Sequence, residues 1–393
     1  MKKVYLDSAA TTQMREEVIA DMVKVMQDSF GNPSSTHGYG RTSKSLIETA
    51  RKNIANILNA KPAEIIFTSG GTEADNLVLN SAVRDLGVKH IISSKIEHHA
   101  VLHTLEELAE NYGVQVSYVN LDEEGFVDYN HLEKLLQSSK EKTLVSLMHV
   151  NNEVGNMLDI KKAGNLCEKY DTLFHSDTVQ SIGHYDIDFS EIPVDFAAAS
   201  AHKFHGPKGI GFAYIQENSG MRPLIFGGSQ ERGMRAGTES VHNIVGMEKA
   251  LQLAYEKLKE EKAYVEDLKS YFIDELKANI PNVKFNGGCE DMEKSTYTVL
   301  SVNLPIPADK TLLLLFQLDL KGIACSKGSA CQSGSDQGSH VLNAISSPEY
   351  LKYPSIRFSL SGFNTKEDID YTVNEVASFL EELKAKTSSP VAD

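Results

Sequence analysis

The 393-residue sequence is poor in cysteine. It has four, Cys167, Cys289, Cys325 and Cys331, and no two are spaced C-x-x-C. That argues against a structural zinc site and against a disulfide framework. Long apolar runs are missing too, so no segment reads as a bilayer span, and the start Met1-Lys2-Lys3-Val4-Tyr5-Leu6-Asp7 lacks the apolar core of a signal peptide. A cytoplasmic protein is expected. Basic charge is in deficit: 39 Lys and Arg stand against 54 Asp and Glu, for a net charge of −15 and a pI near 5.4. An acidic surface argues against nucleic acid or an anionic membrane as the main partner. No internal repeat is visible. What remains is 41% hydrophobic and 24% charged, enough for a large core and two domains.

Residues 4–12 read as a short strand and turn, followed by a helix with Val18, Met22, Val25 and Met26 on one face. Gly31-Asn32-Pro33-Ser34-Ser35-Thr36-His37-Gly38 is a turn-rich loop before a second helix that runs to about Leu58. From residue 64 the pattern alternates. Strands are expected near 65–68, 90–93, 114–119, 144–149, 173–176 and 196–199, with helical stretches between them. That alternation predicts an α/β fold, a mostly parallel sheet covered on both faces, with ligands beyond the carboxyl ends of the strands. After Gly237 one long helix is expected to about residue 278, then strands near 296–304 and 355–359, a helix near 309–318, a segment 322–325 with no element assigned and a last amphipathic helix from Lys366. The expected division is a large domain, 14–255, and a smaller α+β domain made of 1–13 and 256–393.

The chemistry gathers at the strand ends. Lys203 sits among small, hydroxyl and imidazole residues in Ser200-Ala201-His202-Lys203-Phe204-His205-Gly206, right after a strand, where an amine can form a Schiff base with a buried aldehyde. Ser200 and His202 beside it can bind phosphate. In Thr68-Ser69-Gly70-Gly71-Thr72-Glu73 the glycines let backbone N–H groups approach an anion, Thr72 adds a hydroxyl and the helix start adds its positive end. Taken alone, that segment is also an ordinary capped turn. His98, after another strand, can stack on an aromatic cofactor and move protons, or simply start a helix. Asp177 ends a buried strand, where a carboxylate is costly without a cation; a protonated pyridine nitrogen would be one. Gln180 can donate to a ring hydroxyl, and Asn152 offers an amide in the same layer. Arg357 lies in an otherwise apolar strand, where its planar fork suits a ligand carboxylate or a structural salt bridge.

On these motifs the chain resembles the cysteine desulfurases of the NifS/IscS group, pyridoxal 5'-phosphate (PLP) enzymes of fold type I in the class V aminotransferase superfamily. The similarity runs from Tyr5-Leu6-Asp7 through residues 31–37, 69–73 and 200–209 to Arg357-Phe358-Ser359-Leu360. It implies a seven-stranded sheet in the large domain, a PLP link at Lys203, and Asp177 on the pyridine nitrogen. It places His98 over the ring, Gln180 and Asn152 against the cofactor, and Gly71, Thr72, Ser200 and His202 on the phosphate. Thr238 would reach the phosphate of a partner subunit in a homodimer, and Arg357, with Asn152, would bind the carboxylate of L-cysteine. Lys327-Gly328-Ser329-Ala330-Cys331-Gln332-Ser333-Gly334-Ser335 matches the family's active-site loop, with Cys331 as the nucleophile. From Ser326 to Ser339, eight of fourteen residues are Gly or Ser, the composition of a flexible tether. The implied activity removes sulfur from L-cysteine, leaving L-alanine and a persulfide on Cys331. The implied acceptor is a protein of iron–sulfur assembly or of thiolation, with a transient cluster link at Cys331. The rival activities are selenocysteine lyase and another class V enzyme of aminotransferase type. The resemblance assigns no role to residues 8–13.

Overall fold

The computed structural model describes residues 2–327 and 338–388. The chain opens on strand β1 (Val4–Tyr5) and helices α1 (Glu16–Asp28) and α2 (Gly38–Ile57). Next come β2 (Ile65–Thr68), α3 (Gly71–Arg84), β3 (His90–Ser93), α4 (His99–Tyr112), β4 (Gln115–Tyr118), α5 (Tyr129–Ser138) and β5 (Thr143–Ser146). They are followed by α6 (Ile160–Lys169), β6 (Leu173–Asp177), β7 (Phe196–Ser200) and β8 (Gly211–Ile215). Strands β2 to β8 form one seven-stranded sheet in the order β2-β8-β7-β6-β5-β3-β4. Every neighbouring pair is parallel except the two made by β8.

These strands are apolar on both faces because helices cover both. The period-two alternation of a strand sorts the side chains. In β7, Ala197 and Ala199 face one cluster with Ile54, Phe174 and Met247, while Phe196 and Ala198 face the other with Leu77, Leu79 and Leu105. The helix α1 expected from its stripe does bury Val18, Met22 and Val25, but Met26 is 51% exposed.

A second core lies in the rest of the chain. It gathers Val4 and Leu6 with residues of α8 (Leu258–Asn279), β10 (Val299–Asn303), α9 (Thr311–Leu320), β11 (Ile323–Ala324), β12 (Ser355–Ser359) and α11 (Lys366–Ser388). Strands β12, β10 and β9 (Lys284–Phe285) pair antiparallel, and β1 pairs parallel with β11. The short strand β9 and the helix α10 (His340–Ile345) carry no signal in the sequence pattern. The single long helix expected after Gly237 is two: α7 (Val241–Glu256) and α8, broken at Lys257, whose ψ is 3°. The break re-aims the apolar stripe. Met247 and Leu251 of α7 join the first core, and Leu268, Phe272 and Leu276 of α8 join the second.

Candidate active site

The carboxyl ends of β2, β6 and β7 open onto a cavity of about 290 Å³. Ten of the residues singled out from sequence line it: Gly71, Thr72, His98, Asn152, Asp177, Gln180, Ser200, His202, Lys203 and Arg357. Thr238 is exposed and lies outside that lining. Cys331 falls outside the described residues.

Lys203 ends a one-turn helix that follows β7. Its Nζ donates to the carbonyls of Ala9 and Ala10, the latter at 3.0 Å. His184 Nε2 lies 2.9 Å from the Lys203 carbonyl and steadies the backbone beneath the amine. Between β2 and α3, Gly70 has φ +154°, a conformation that side chains beyond glycine rarely adopt. A Cβ on Gly71 would stand 2.5 Å from Val179 Cγ2, so only glycine allows that approach. The turn therefore presents the start of α3, with its outward N–H groups, beside the Thr72 and Ser200 hydroxyls, which suits a phosphate. His202 completes this side. Its Nδ1 is 3.2 Å from Thr11 Oγ1, and burial, then the charge of Lys203, lower its pKa to about 4.

Asp177 ends β6, where its Oδ1 accepts from Val179 N at 2.9 Å. Burial pushes its pKa up to about 6, against that hydrogen bond and the Lys203 charge. His98 caps α4, its Nδ1 accepting from Ala100 N at 3.1 Å, so a neutral ring carries its proton on Nε2. Burial, then Lys203, hold its pKa down at about 4. Gln180 donates from Nε2 to Ala9 O at 3.0 Å. Arg357, 2% exposed, pairs through Nη2 with Asp7 Oδ1 at 2.9 Å and donates from Nη1 to Asn152 O at 2.9 Å. Among the described residues its Nε has no hydrogen-bond partner.

Several lining residues were not read from the sequence. Ala9 and Ala10 belong to the segment left without a role, and Asp7 beside them pairs with Arg357. Asp75 of α3 is 1% exposed, and burial, then Asp177 and Glu97, hold its pKa well above the carboxylate range. His175 Nε2 lies 3.4 Å from Asp75 Oδ1. Glu153 accepts from Ser339 Oγ, and His340 Nε2 donates to Glu97 O at 2.9 Å while its ring packs 4.3 Å from that of His99. A polar residue on a helix reads as a solvated position, so no periodicity marks Asp75 or His340.

A deep carboxyl that needs a cation, a neutral imidazole, an amine at a strand end and a glycine turn suited to an anion fit a flat pyridine ring bearing an aldehyde and a phosphate. On a seven-stranded α/β sheet these features define a PLP-dependent enzyme of fold type I. The chain matches the aminotransferase class-V family over residues 4–372, and it belongs to that family. It is 43% identical over 394 residues to a cysteine desulfurase IscS of Dictyoglomus turgidum, covering 99% of this chain and 97% of that one. Among solved structures it is similar to a NifS-like protein, with a TM-score of 0.88 and 36% identity over 97% of this chain and 100% of the other. A structure described as SspA in complex with cysteine gives a TM-score of 0.78 and 32% identity, over 92% and 100%. Among the described residues no helix is long and apolar enough to cross a membrane, and no cluster of His, Cys, Asp and Glu could hold a metal ion.

Proposed function

We propose that the protein is a PLP-dependent L-cysteine desulfurase that passes the substrate sulfur to Cys331 and releases L-alanine. The observation that carries this reading is one cavity lined by Lys203, Asp177, His98 and Arg357, in a chain matched over 99% of its length by a cysteine desulfurase.

Gly71, Thr72, Ser200 and His202 would hold the phosphate, and Asp177 would pair with the ring nitrogen. His98 would lie against the ring, and Gln180 and Asn152 would contact the cofactor. When bound, PLP supplies an electron sink that acidifies the substrate α-carbon. Lys203 Nζ moves the α-proton. Arg357, with Asn152 beside it, binds the substrate carboxylate, and the place of both in the cavity lining supports that role. The Cys331 thiolate attacks the substrate Sγ: an S–S bond forms, the C–S bond breaks with its electron pair going to carbon, and a proton at that carbon completes alanine.

Thr238 completes the phosphate site of a second subunit in a homodimer. Large apolar side chains left on the surface support such an interface, among them Phe30 at 74% and Phe226 at 75% exposed. The persulfide goes to an acceptor protein of iron–sulfur assembly or thiolation, in the cytoplasm. The separate apolar clusters support a division into 14–255 against 1–13 with 256–393.

The test is mass spectrometry of the protein after L-cysteine. Trypsin cuts at Lys327, which separates Cys325 from Cys331. Added sulfur is expected on the Cys331 peptide, with equimolar alanine, and Cys331→Ser should abolish both. Sulfur found on the Cys325 peptide alone would sink the assignment. Selenocysteine as substrate supplies the comparison for the lyase reading.

A further inference from the structure

The turn between β2 and α3 is braced from a distant part of the chain. Glu73, in the first turn of α3, accepts from Ser69 N at 2.9 Å. The same carboxylate receives a two-pronged contact from Arg235: Nε to Oε1 at 2.9 Å and Nη2 to Oε2 at 3.2 Å. An acidic residue in a first turn is ordinary helix chemistry. A bidentate arginine arriving from 162 positions away is not part of that chemistry. Arg235 is itself rooted. Just before it, Glu231 and Arg232 take left-handed φ values of 45° and 57°. Glu231 is locked by Arg51 of α2, Nη1 to Oε2 at 2.8 Å and Nη2 to Oε1 at 2.9 Å, both side chains 2% exposed. Glu231 also accepts from Phe67 N of β2 at 2.8 Å. A strut thus runs from α2 through Glu231 and Arg235 to Glu73. Neither Arg235 nor Glu73 lines the cavity.

We infer that Arg235 and Glu73 are positioning residues for the cofactor phosphate: Glu73 fixes the Ser69 amide, and Arg235 fixes and neutralises Glu73. The inference rests on the reading that residues 70–72 receive that phosphate. Its physical content is charge. Glu73 follows Thr72 directly, and an uncompensated carboxylate there repels a phosphate dianion. Burial would raise the Glu73 pKa, but the Arg235 and Ser69 hydrogen bonds hold it below the usual range, so Glu73 stays anionic and depends on its arginine. Removing the arginine alone is therefore worse than removing both charges.

The test uses the full-length chain, stripped of cofactor and titrated separately with PLP and with pyridoxal, which lacks the phosphate. Wild type should prefer PLP. Arg235→Gln should weaken PLP about tenfold or more, the scale of one unscreened like charge, and leave pyridoxal within about twofold. Adding Glu73→Gln to that variant should restore most of the loss. Arg235→Lys, which keeps charge but not the fork, should fall between, and it carries the test if Arg235→Gln does not fold. An equal loss for PLP and pyridoxal, no loss at all, or a double variant no better than Arg235→Gln would overturn the inference. A wild type that fails to prefer PLP would instead overturn the phosphate reading, and this inference with it.

Discussion

Arg357→Ala is the substitution that most sharply divides a substrate-binding residue from a structural one. The guanidinium is 2% exposed and holds two partners, Asp7 Oδ1 and the Asn152 carbonyl, while Nε is unpartnered among the described residues. Two costs follow from truncation. Breaking a fully buried ion pair costs about 3–5 kcal/mol. The Asp7 side chain is 19% exposed and regains some water, so a stability loss of about 1–3 kcal/mol is expected here. Removing one partner of a desolvated arginine–carboxylate contact costs about 2–5 kcal/mol in binding. The shortened side chain also lets water reach the substrate carboxylate, so KM for L-cysteine should rise by about one to three decades, at about 1.4 kcal/mol per decade. Steady-state alanine release measures KM, and cysteamine, which is cysteine without its carboxylate, should bind wild type and variant alike. Asp7→Asn is the control. It removes the ion pair, so it should cost stability, yet it leaves the arginine for the substrate, so KM should hold or fall. If Asp7→Asn raises KM as much as Arg357→Ala does, or if KM for cysteine does not move in Arg357→Ala, Arg357 is a structural residue and the carboxylate site lies elsewhere.

Lys203→Ala should lose the visible absorption band of the bound cofactor and all alanine production, checked by spectroscopy and an end-point assay; wild-type turnover would remove Lys203 from the reaction. Thr238→Ala should weaken PLP retention on dialysis while the chain still sediments as a dimer at micromolar concentration, and a wild-type monomer with full cofactor would contradict the shared site. Acid should destabilise the fold through its buried histidines. Burial lowers the pKa of His149 to about 4, below the unfolded value of about 6.5, so the stability it contributes is present above about 6.5 and is lost as pH falls toward 4. That window is worth about 3 kcal/mol for His149, so urea midpoints should fall across it, and His149→Gln should flatten the slope.

The alternation of the first core was legible because each strand is a short apolar run bounded by turn residues, and two covered faces leave no other place for such runs. Boundaries were less legible where tertiary contacts set them. Nothing local marks Lys257 as a break, since neither glycine nor proline is there; the need of α7 and α8 to bury stripes in different cores puts it there. Leu147 and Met148 continue the apolar pattern of β5, and past its end at Ser146 the backbone still bonds to β6, from Leu147 N to His175 O at 3.2 Å and from His149 N to Asp177 O at 2.9 Å. The pairing of β1 with β11 joins residues more than three hundred positions apart, and periodicity carries no information over that span.

The same division applies to the site. Lys203, Asp177 and the glycine turn could be found because a rule of the fold, ligands at carboxyl ends of strands, says where to look. Asp7, Asp75 and Glu97 could not, because their roles exist only once separate elements converge. Asp75 comes from α3, Glu97 from the loop after β3 and Asp177 from the end of β6, and they meet below one cavity. Burial raises all three, but unequally. Asp177 has a backbone donor in Val179 and the Lys203 charge nearby, which keep its pKa at about 6. Glu97, with only the Ser94 hydroxyl and Met148 N–H to oppose burial, is pushed up to about 8. Asp75 has an oxygen without a hydrogen-bond partner among the described residues and lies well above its usual value. Asp177 therefore ionises at lower pH than Glu97. On the proposed reading, an anion at the end of β6 would pair with one protonated ring nitrogen, and a neutral Glu97 behind it lessens the cost of burying like charges together.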